Sequence, residues 1–425
     1  MTKKADSLAL DPGSPENPAM FGKYLMLGLV AKGGMAEVYR AKRMKEDKMI
    51  ALKCMRNRLA REQKYVDMFM AEGKLASMLD HPNIVKTYEG GRYRNTCYFT
   101  MDYICGKDLN HILRKVQLNG QRIPIPVTLF ITSEAAKGLD YAHNLKDEEG
   151  KLLNIVNRDV SPSNIRVAYD GDVKLIDFGI AKTKARFTSE IGTLKGKFSY
   201  MSPEQIRGLP LDGRTDIFSL GIILYEMLTM ERLFKGESET VLMEKVRKSE
   251  INPPSSINRR ISPELDAVVM KALAREREDR YQTAREFSED IDRLLEPYKF
   301  KPQELSDLMK RIFPDEFQAE MDISRVASTL DFNMNPQDSG RHESFDTIVK
   351  KDFNLQEVME LELDIDDSDM DEEVDIKTDN LINQIKEPPV EEPKTADLMK
   401  YIYMMIGATV FIIIIIIILL LVKGK

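Results

Sequence analysis

Asn157-Arg158-Asp159-Val160-Ser161-Pro162-Ser163-Asn164, with Asp177-Phe178-Gly179 beginning thirteen residues after Asn164, is the stretch whose reading decides the fold. Asp159 and the carboxamides of Asn157 and Asn164 follow the short apolar run Ile155-Val156, and Asp177 follows the strand-like run Val173 to Ile176. Neither piece is specific alone, because the second is only three letters long. Their order and their flanks together make them so. Working outward, the run Ile50-Ala51-Leu52 ends in Lys53. A helical stretch from about Tyr65 to Leu79 then carries Glu72, ahead of His81-Pro82-Asn83-Ile84-Val85. On the C-terminal side come Gly196 to Glu204, then Asp216, Gly221 and Arg280.

In this order the motifs resemble those of bacterial eukaryotic-type (Hanks-type) serine/threonine protein kinases, over about Tyr24 to Leu295. The resemblance implies an α+β, bilobal protein kinase fold. A small β-rich lobe would cover about 24–104 and a large helical lobe about 105–315. It implies ATP and Mg²⁺ as cofactors, with Asp159 accepting the substrate hydroxyl proton and Asn164 and Asp177 holding magnesium. The chemistry needs such a set. ATP brings several negative charges to one place, metals neutralise them, and the base sits close by without being a ligand. Lys53 matches the lysine that grips the α/β-phosphates, and Glu72 its ion-pair partner. Glu204 closes the segment equivalent to A-P-E, Asp216 anchors the large lobe, and Arg280 is placed to pair with Glu204.

The glycine-rich loop departs from the family pattern G-x-G-x-x-G-x-V. Its positions read Ala31, Gly33, Ala36 and Val38, with Val30 before them and Gly34-Met35 inside. Glycine lets backbone N–H groups approach phosphate with no Cβ in the way, and alanine is the least intrusive substitute. A looser grip on ATP is expected. The resemblance puts Val38 and Ala51 above the adenine, Met101 behind it, and Asp102 to Ile104 in the hinge. Arg166 stands where the family usually has an aliphatic floor; its methylene stem would serve, with its head in water. Asn157 replaces the histidine of H-R-D and is expected to bond the backbone around Asp216. Arg158 is retained and calls for a phosphate on the activation segment, where Thr193 and then Thr188 are the candidates.

The family also carries Lys two residues after the catalytic Asp and Thr after the glycine that is Gly196 here. This chain has Ser161 and Lys197 at those places. A hydroxyl and an ammonium have changed places, which puts Ser161 and Lys197 with Asp159 in the catalytic set. The alternative is independent drift. Tyrosine kinases place Trp before their A-P-E equivalent, and this chain has no Trp. Two function classes stay open. One is an active, autophosphorylating serine/threonine kinase. The other is a pseudokinase acting as a nucleotide-sensing scaffold, motivated by Ala31, Asn157, Ser161 and Arg166. Retention of Lys53, Glu72, Asp159, Asn164 and Asp177 favours catalysis.

A chain of 425 residues exceeds one average domain, and 43% hydrophobic residues can bury a sizeable core. Cys54, Cys97 and Cys105 show no paired spacing and read as reduced thiols. The net charge of −7 hides an asymmetry: residues 331–400 carry 21 acidic and 7 basic side chains. The remainder is mildly basic, suiting a nucleotide and protein substrates; no nucleic-acid motif is present. Residues 1–23 read as a disordered leader without the apolar core of a signal peptide. Residues 303–319 have helical spacing and are expected to add one helix to the large lobe. Residues 325–398 read as an extended acidic linker, with a short docking helix as the alternative. Ile402 to Val422 is 21 residues without a charge, including seven consecutive isoleucines. At ~1.5 Å per residue a helix of that length spans the ~30 Å hydrocarbon core. The expectation is a single C-terminal transmembrane helix in a bacterial inner membrane, with the kinase facing the cytoplasm. Self-association there would favour trans-autophosphorylation.

Overall fold

The computed structural model describes residues 18–43, 46, 48–178 and 198–330, together with the strand 342–344. Its architecture is the two-lobed one expected: an antiparallel sheet lobe with one helix, joined by a short hinge to a helical lobe. The sheet runs in the order β1 (Ala19–Phe21), β2 (Tyr24–Lys32), β3 (Ala36–Arg43), β4 (Met49–Met55), β6 (Thr96–Asp102), β5 (Thr87–Tyr93), with His342–Ser344 (β10) at the edge. Period-2 alternation sorts the side chains between its faces. Ile50, Leu52 and Cys54 of β4 point to a cluster with Tyr24, Met26 and Tyr39. Ala51 and Met55 point to the opposite face, against Val66, Phe69 and Met70 of α1 (Gln63–Met78). The face that buries Ala51 is therefore the one that carries Lys53 towards the cleft.

The large lobe is one continuous core. It gathers α2 (Leu109–Leu118), α3 (Ile125–His143), the buried helix Gly213–Thr229 and the helix Ala284–Leu295. A small sheet, β7 (Gly106–Asp108), β8 (Ile165–Ala168) and β9 (Val173–Leu175), caps this core below the hinge. The loop Asn157–Asn164 feeds directly into β8, so its residues are held between sheet and core.

Three boundaries differ from expectation. Ala19–Phe21, inside the expected leader, forms β1. Phe21 is buried against Tyr93 and Tyr98, and burying a side chain of that size contributes about 1.5–3 kcal/mol. The single helix expected over 303–319 is two helices, a docking helix Pro302–Ile312 and a strap helix Pro314–Thr329. The break has a local cause. Pro314 has no N–H, and its ring clashes with a preceding helical turn, so it starts a helix and cannot continue one. The docking helix buries Leu305, Leu308, Met309 and Ile312 in the large-lobe core. It also touches the β8–β9 turn at Gly171 (φ +99°), where a Cβ would lie 2.5 Å from the Pro302 carbonyl oxygen. The strap helix runs on into the stretch expected to be linker. His342–Ser344, also in that stretch, pairs antiparallel with β5, with His342 opposite Tyr93 and Ser344 opposite Gly91. The leader before residue 18, most of the acidic linker and residues 402–422 lie outside the described residues.

Candidate active site

The cleft between the lobes has a volume of about 640 Å³, within the range of nucleotide-sized pockets. On its upper side, Lys53 of β4 reaches Glu72 of α1 (Nζ–Oε1 2.7 Å) and Asp177 of the lower lobe (Nζ–Oδ1 3.0 Å). Burial pulls the Lys53 ammonium down, but the Asp177 and Glu72 carboxylates outweigh it, and its pKa is raised. It stays charged and is shared between two lobes.

Below it, a chain of hydrogen bonds fixes the loop. Asp216, fully buried in the first turn of its helix, accepts from the backbone N–H groups of Asn157 (2.8 Å) and Arg158 (2.9 Å). His143 Nε2 lies 2.8 Å from the same carboxylate. His143 fits only because position 213 is glycine: a Cβ there would meet its ring at 2.6 Å. Arg158 is held at φ +64°, a left-handed conformation that non-glycine residues rarely adopt. Asn164 then donates to both the carbonyl (2.8 Å) and the carboxylate (2.7 Å) of Asp159. Asp159 and Asn164 are thereby joined in one hydrogen-bonded unit.

Two side chains act otherwise than expected. Asn157 does not use its amide on the Asp216 backbone. It donates to the Asp177 carbonyl (3.0 Å) and accepts from the Asp159 N–H (3.1 Å). The bonds to Asp216 come from backbone amides instead, leaving the carboxamide to join Asp159 and Asp177 through their main chains. Arg166 does not send its head to water. Its Nε donates to the Ile104 carbonyl (2.8 Å) and its Nη2 to the Gly106 carbonyl (2.9 Å), so the guanidinium clamps the hinge. A planar fork with several donors satisfies carbonyls that an aliphatic residue would leave bare.

Val30, Ala31, Gly33, Gly34, Val38, Ala51, Met101, Asp102, Ile104 and Ser161 all line this cleft. The β2–β3 turn is closed by the Gly33 N–H to the Ala36 carbonyl (2.9 Å). Lys197, Thr188 and Thr193 lie outside the described residues. Among the described residues no cluster of three or more metal-type ligands occurs. One carboxylate plus a carboxamide beside a phosphate-sized space is nonetheless the donor set that magnesium takes when nucleotide supplies the rest. The apolar walls of Val38, Ala51 and Met101, with Lys53 further in, fit a purine and its phosphates.

Sequence reasoning missed Tyr200 and Arg232, which also line the cleft. Tyr200 donates to buried Glu226 (2.7 Å), and Arg232 contacts the Tyr200 hydroxyl. Burial pushes the Glu226 carboxyl up to about 8, against the pull of the Leu233 N–H. Tyr200 lay within a quoted motif; Arg232 carried no signal. Deeper in the lobe, Arg280 makes the expected two-pronged contact with Glu204 (2.7 and 2.9 Å). Burial drives the Arg158 guanidinium pKa down, against the pull of the Asp216 charge.

A family model described as "Protein kinase domain" matches residues 24–290. The tyrosine-protein kinase MasK of Myxococcus xanthus is 39% identical over 65% of this chain and 43% of its own length. The serine/threonine-protein kinase PknB of Mycobacterium leprae is 37% identical over 65% of this chain and 44% of its own. The chain therefore spans less than half the length of these curated relatives. The PknI kinase domain of Mycobacterium tuberculosis aligns at 24% identity and a TM-score of 0.49, over 65% of this chain and 96% of that one. The chain belongs to the protein kinase family, and its kinase domain is similar to those of bacterial Hanks-type kinases, among them several named serine/threonine-protein kinases.

Proposed function

We propose that this chain is an active, membrane-anchored kinase that phosphorylates serine and threonine hydroxyls of proteins, itself included. The observation that carries the reading is the pairing of Lys53 with Glu72 and Asp177 above an Asp159 fixed by Asn164. Bound Mg-ATP would supply the transferable phosphoryl group and the charge neutralisation that goes with it. Lys53 would hold phosphate oxygens with a permanently charged donor. Asn164 and Asp177 would be the protein's metal ligands. Asp159 would take the proton from the attacking hydroxyl. Ser161 and Lys197 would share the roles of orienting Asp159 and stabilising transferred charge, so Lys197→Ala should lower kcat by roughly 10²-fold. The Arg158 guanidinium, whose charge burial disfavours, supports a role as receiver of a phosphate at Thr193 or Thr188.

The apolar run Ile402 to Val422 supports a single span. Among the described residues no helix is long and apolar enough to cross a membrane, and that run is not among them. Confinement to a bilayer raises local concentration, so trans-autophosphorylation should be faster for vesicle-bound chain than for detergent-diluted chain. The test is incubation of vesicle-bound full-length chain with Mg²⁺ and γ-labelled ATP, followed by phosphoamino-acid analysis. Phosphoserine and phosphothreonine are expected. Nucleotide binding without incorporation would favour a pseudokinase. Phosphotyrosine as the main product would move the chain towards the activity in the name of the Myxococcus relative.

A further inference from the structure

The strap helix crosses the back of the hinge and touches both lobes. At its large-lobe end, Phe313 is buried in the core and the Phe317 ring packs edge-on to Tyr169 (centroids 5.1 Å). At its small-lobe end, Ala327 packs with Leu25 and Leu27 of β2, and its carbonyl accepts from buried Lys42 of β3 (3.0 Å). Between these ends lies a compact polar cluster. Arg40 of β3 reaches Glu320 of the strap (2.5 Å) and the Tyr103 hydroxyl (2.7 Å), and Tyr103 donates to Glu320 (2.8 Å). Side-chain exposures of 12% for Arg40 and 14% for Glu320 keep water largely out. The Arg40 guanidinium also lies over the Tyr103 ring, 5.0 Å from its centroid.

These partners are not remote from the nucleotide slot. Tyr103 is the hinge residue between Asp102 and Ile104, both of which line it. Arg40 is paired across the ladder with Ala51, its apolar roof. We propose that the strap helix is an interlobe restraint that sets the width of the nucleotide slot, with Glu320 as the positioning residue. Opening the lobes about the hinge moves β3 away from the large lobe. That motion must break the Arg40–Glu320 pair or drag the strap with it. A charge pair of low exposure resists breakage, because separating it leaves each charge desolvated and unpaired. The strap therefore holds Tyr103 and β3 at one spacing, and the slot between Ala51 above and the Arg166 stem below is kept at nucleotide width. This inference rests on the proposed nucleotide site but not on turnover.

The experiment measures the Kd of a fluorescent ATP analogue with Mg²⁺, together with Tm, on the full chain. Glu320→Ala should weaken analogue binding about 5- to 10-fold, within the usual range of coupling between sites. Tyr103→Phe, which keeps the ring and removes the shared hydroxyl, should shift it in the same direction by less. Arg40→Ala with Glu320→Ala should lose less than the sum of the two single losses, since both break the Arg40–Glu320 contact. Glu316→Gln provides the control. It sits on the same helix but faces Lys115 of the large lobe (3.8 Å) and should leave the Kd within about twofold, as exposed pairs contribute little. A fall in Tm for Glu320→Ala with unchanged Kd would overturn the proposal, reducing the cluster to packing. So would an equal Kd shift from Glu316→Gln. Wild-type chain that binds the analogue yet transfers no phosphate would sink the kinase reading and leave this one standing. Wild-type chain that binds no analogue would sink both.

Discussion

The Glu204–Arg280 pair in the large lobe and the Lys53–Glu72–Asp177 cluster in the cleft both take charges out of bulk water, and they are secured in different ways. Arg280 is wholly buried and spends five donor contacts, two on Glu204 and one each on the carbonyls of Ala274, Arg214 and Arg275. Thr215 gives Glu204 a further donor (2.8 Å). Everything in that set belongs to one lobe, and nothing in it is free to meet a ligand. Lys53 instead faces two carboxylates from different lobes, and Asp177 keeps 38% of its side chain exposed. A compact ammonium has no fork to match, so it can give up Asp177 when phosphate and metal arrive. Full satisfaction within one body makes a strut. Partial satisfaction between bodies makes a site.

If that contrast holds, breaking the strut should cost stability and spare chemistry, whereas breaking the cleft cluster should do the reverse. Glu204→Gln leaves the Arg280 charge buried without its partner and should cost about 3–5 kcal/mol in denaturant unfolding. The effect should also depend on pH. Burial pushes the Glu204 carboxyl up, but Arg280 and Thr215 outweigh it, and its pKa is lowered. Its stabilising contribution is therefore complete above the ordinary carboxylate value of about 4.3 and fades as pH falls through the depressed one. The stability gap between wild type and Glu204→Gln should narrow on acidification. A gap that widens towards low pH would contradict the assignment.

Lys53→Met should lower kcat/KM by about 10²- to 10³-fold, the scale for a preorganised electrostatic contact, with Tm little changed. A large loss of Tm would class Lys53 with the struts. Asn157→Ala tests the middle ground, since Asn157 is buried like a strut yet bonds the Asp177 carbonyl. It should cost about 1–3 kcal/mol for the bared carbonyl and weaken the Mg²⁺ dependence of turnover. Arg166→Leu restores the usual aliphatic floor and removes two hinge bonds. Its effect should be the smallest, a rise in the KM for ATP of about tenfold or less at nearly constant kcat.

How far the sequence revealed the molecule depended on how local each feature is. The loop Asn157–Asn164, Lys53 with Glu72, and Glu204 with Arg280 were legible because each residue sits at a fixed place in an ordered series of motifs. The Arg166 head was misjudged because its acceptors are backbone carbonyls, which carry no side-chain signature. The Asn157 amide was misjudged for the same reason. Arg40 and Glu320 are 280 residues apart, and nothing in hydrophobic periodicity says which of many charges will meet. His342–Ser344 joins a sheet edge by main-chain pairing, which needs no apolar pattern. The break at Pro314 was missed although its signal is local, since proline there ends one helix and starts the next.

The central claim, that Asp159 is the base of a working kinase, is tested most directly by one comparison. Phosphate incorporation from Mg-ATP is measured for wild type and Asp159→Asn full-length chain, with analogue Kd determined in parallel. The account predicts phosphoserine and phosphothreonine in the wild type and no detectable incorporation in the variant at a similar Kd, because the base holds a proton and not the nucleotide. Equal incorporation in the two proteins would contradict it.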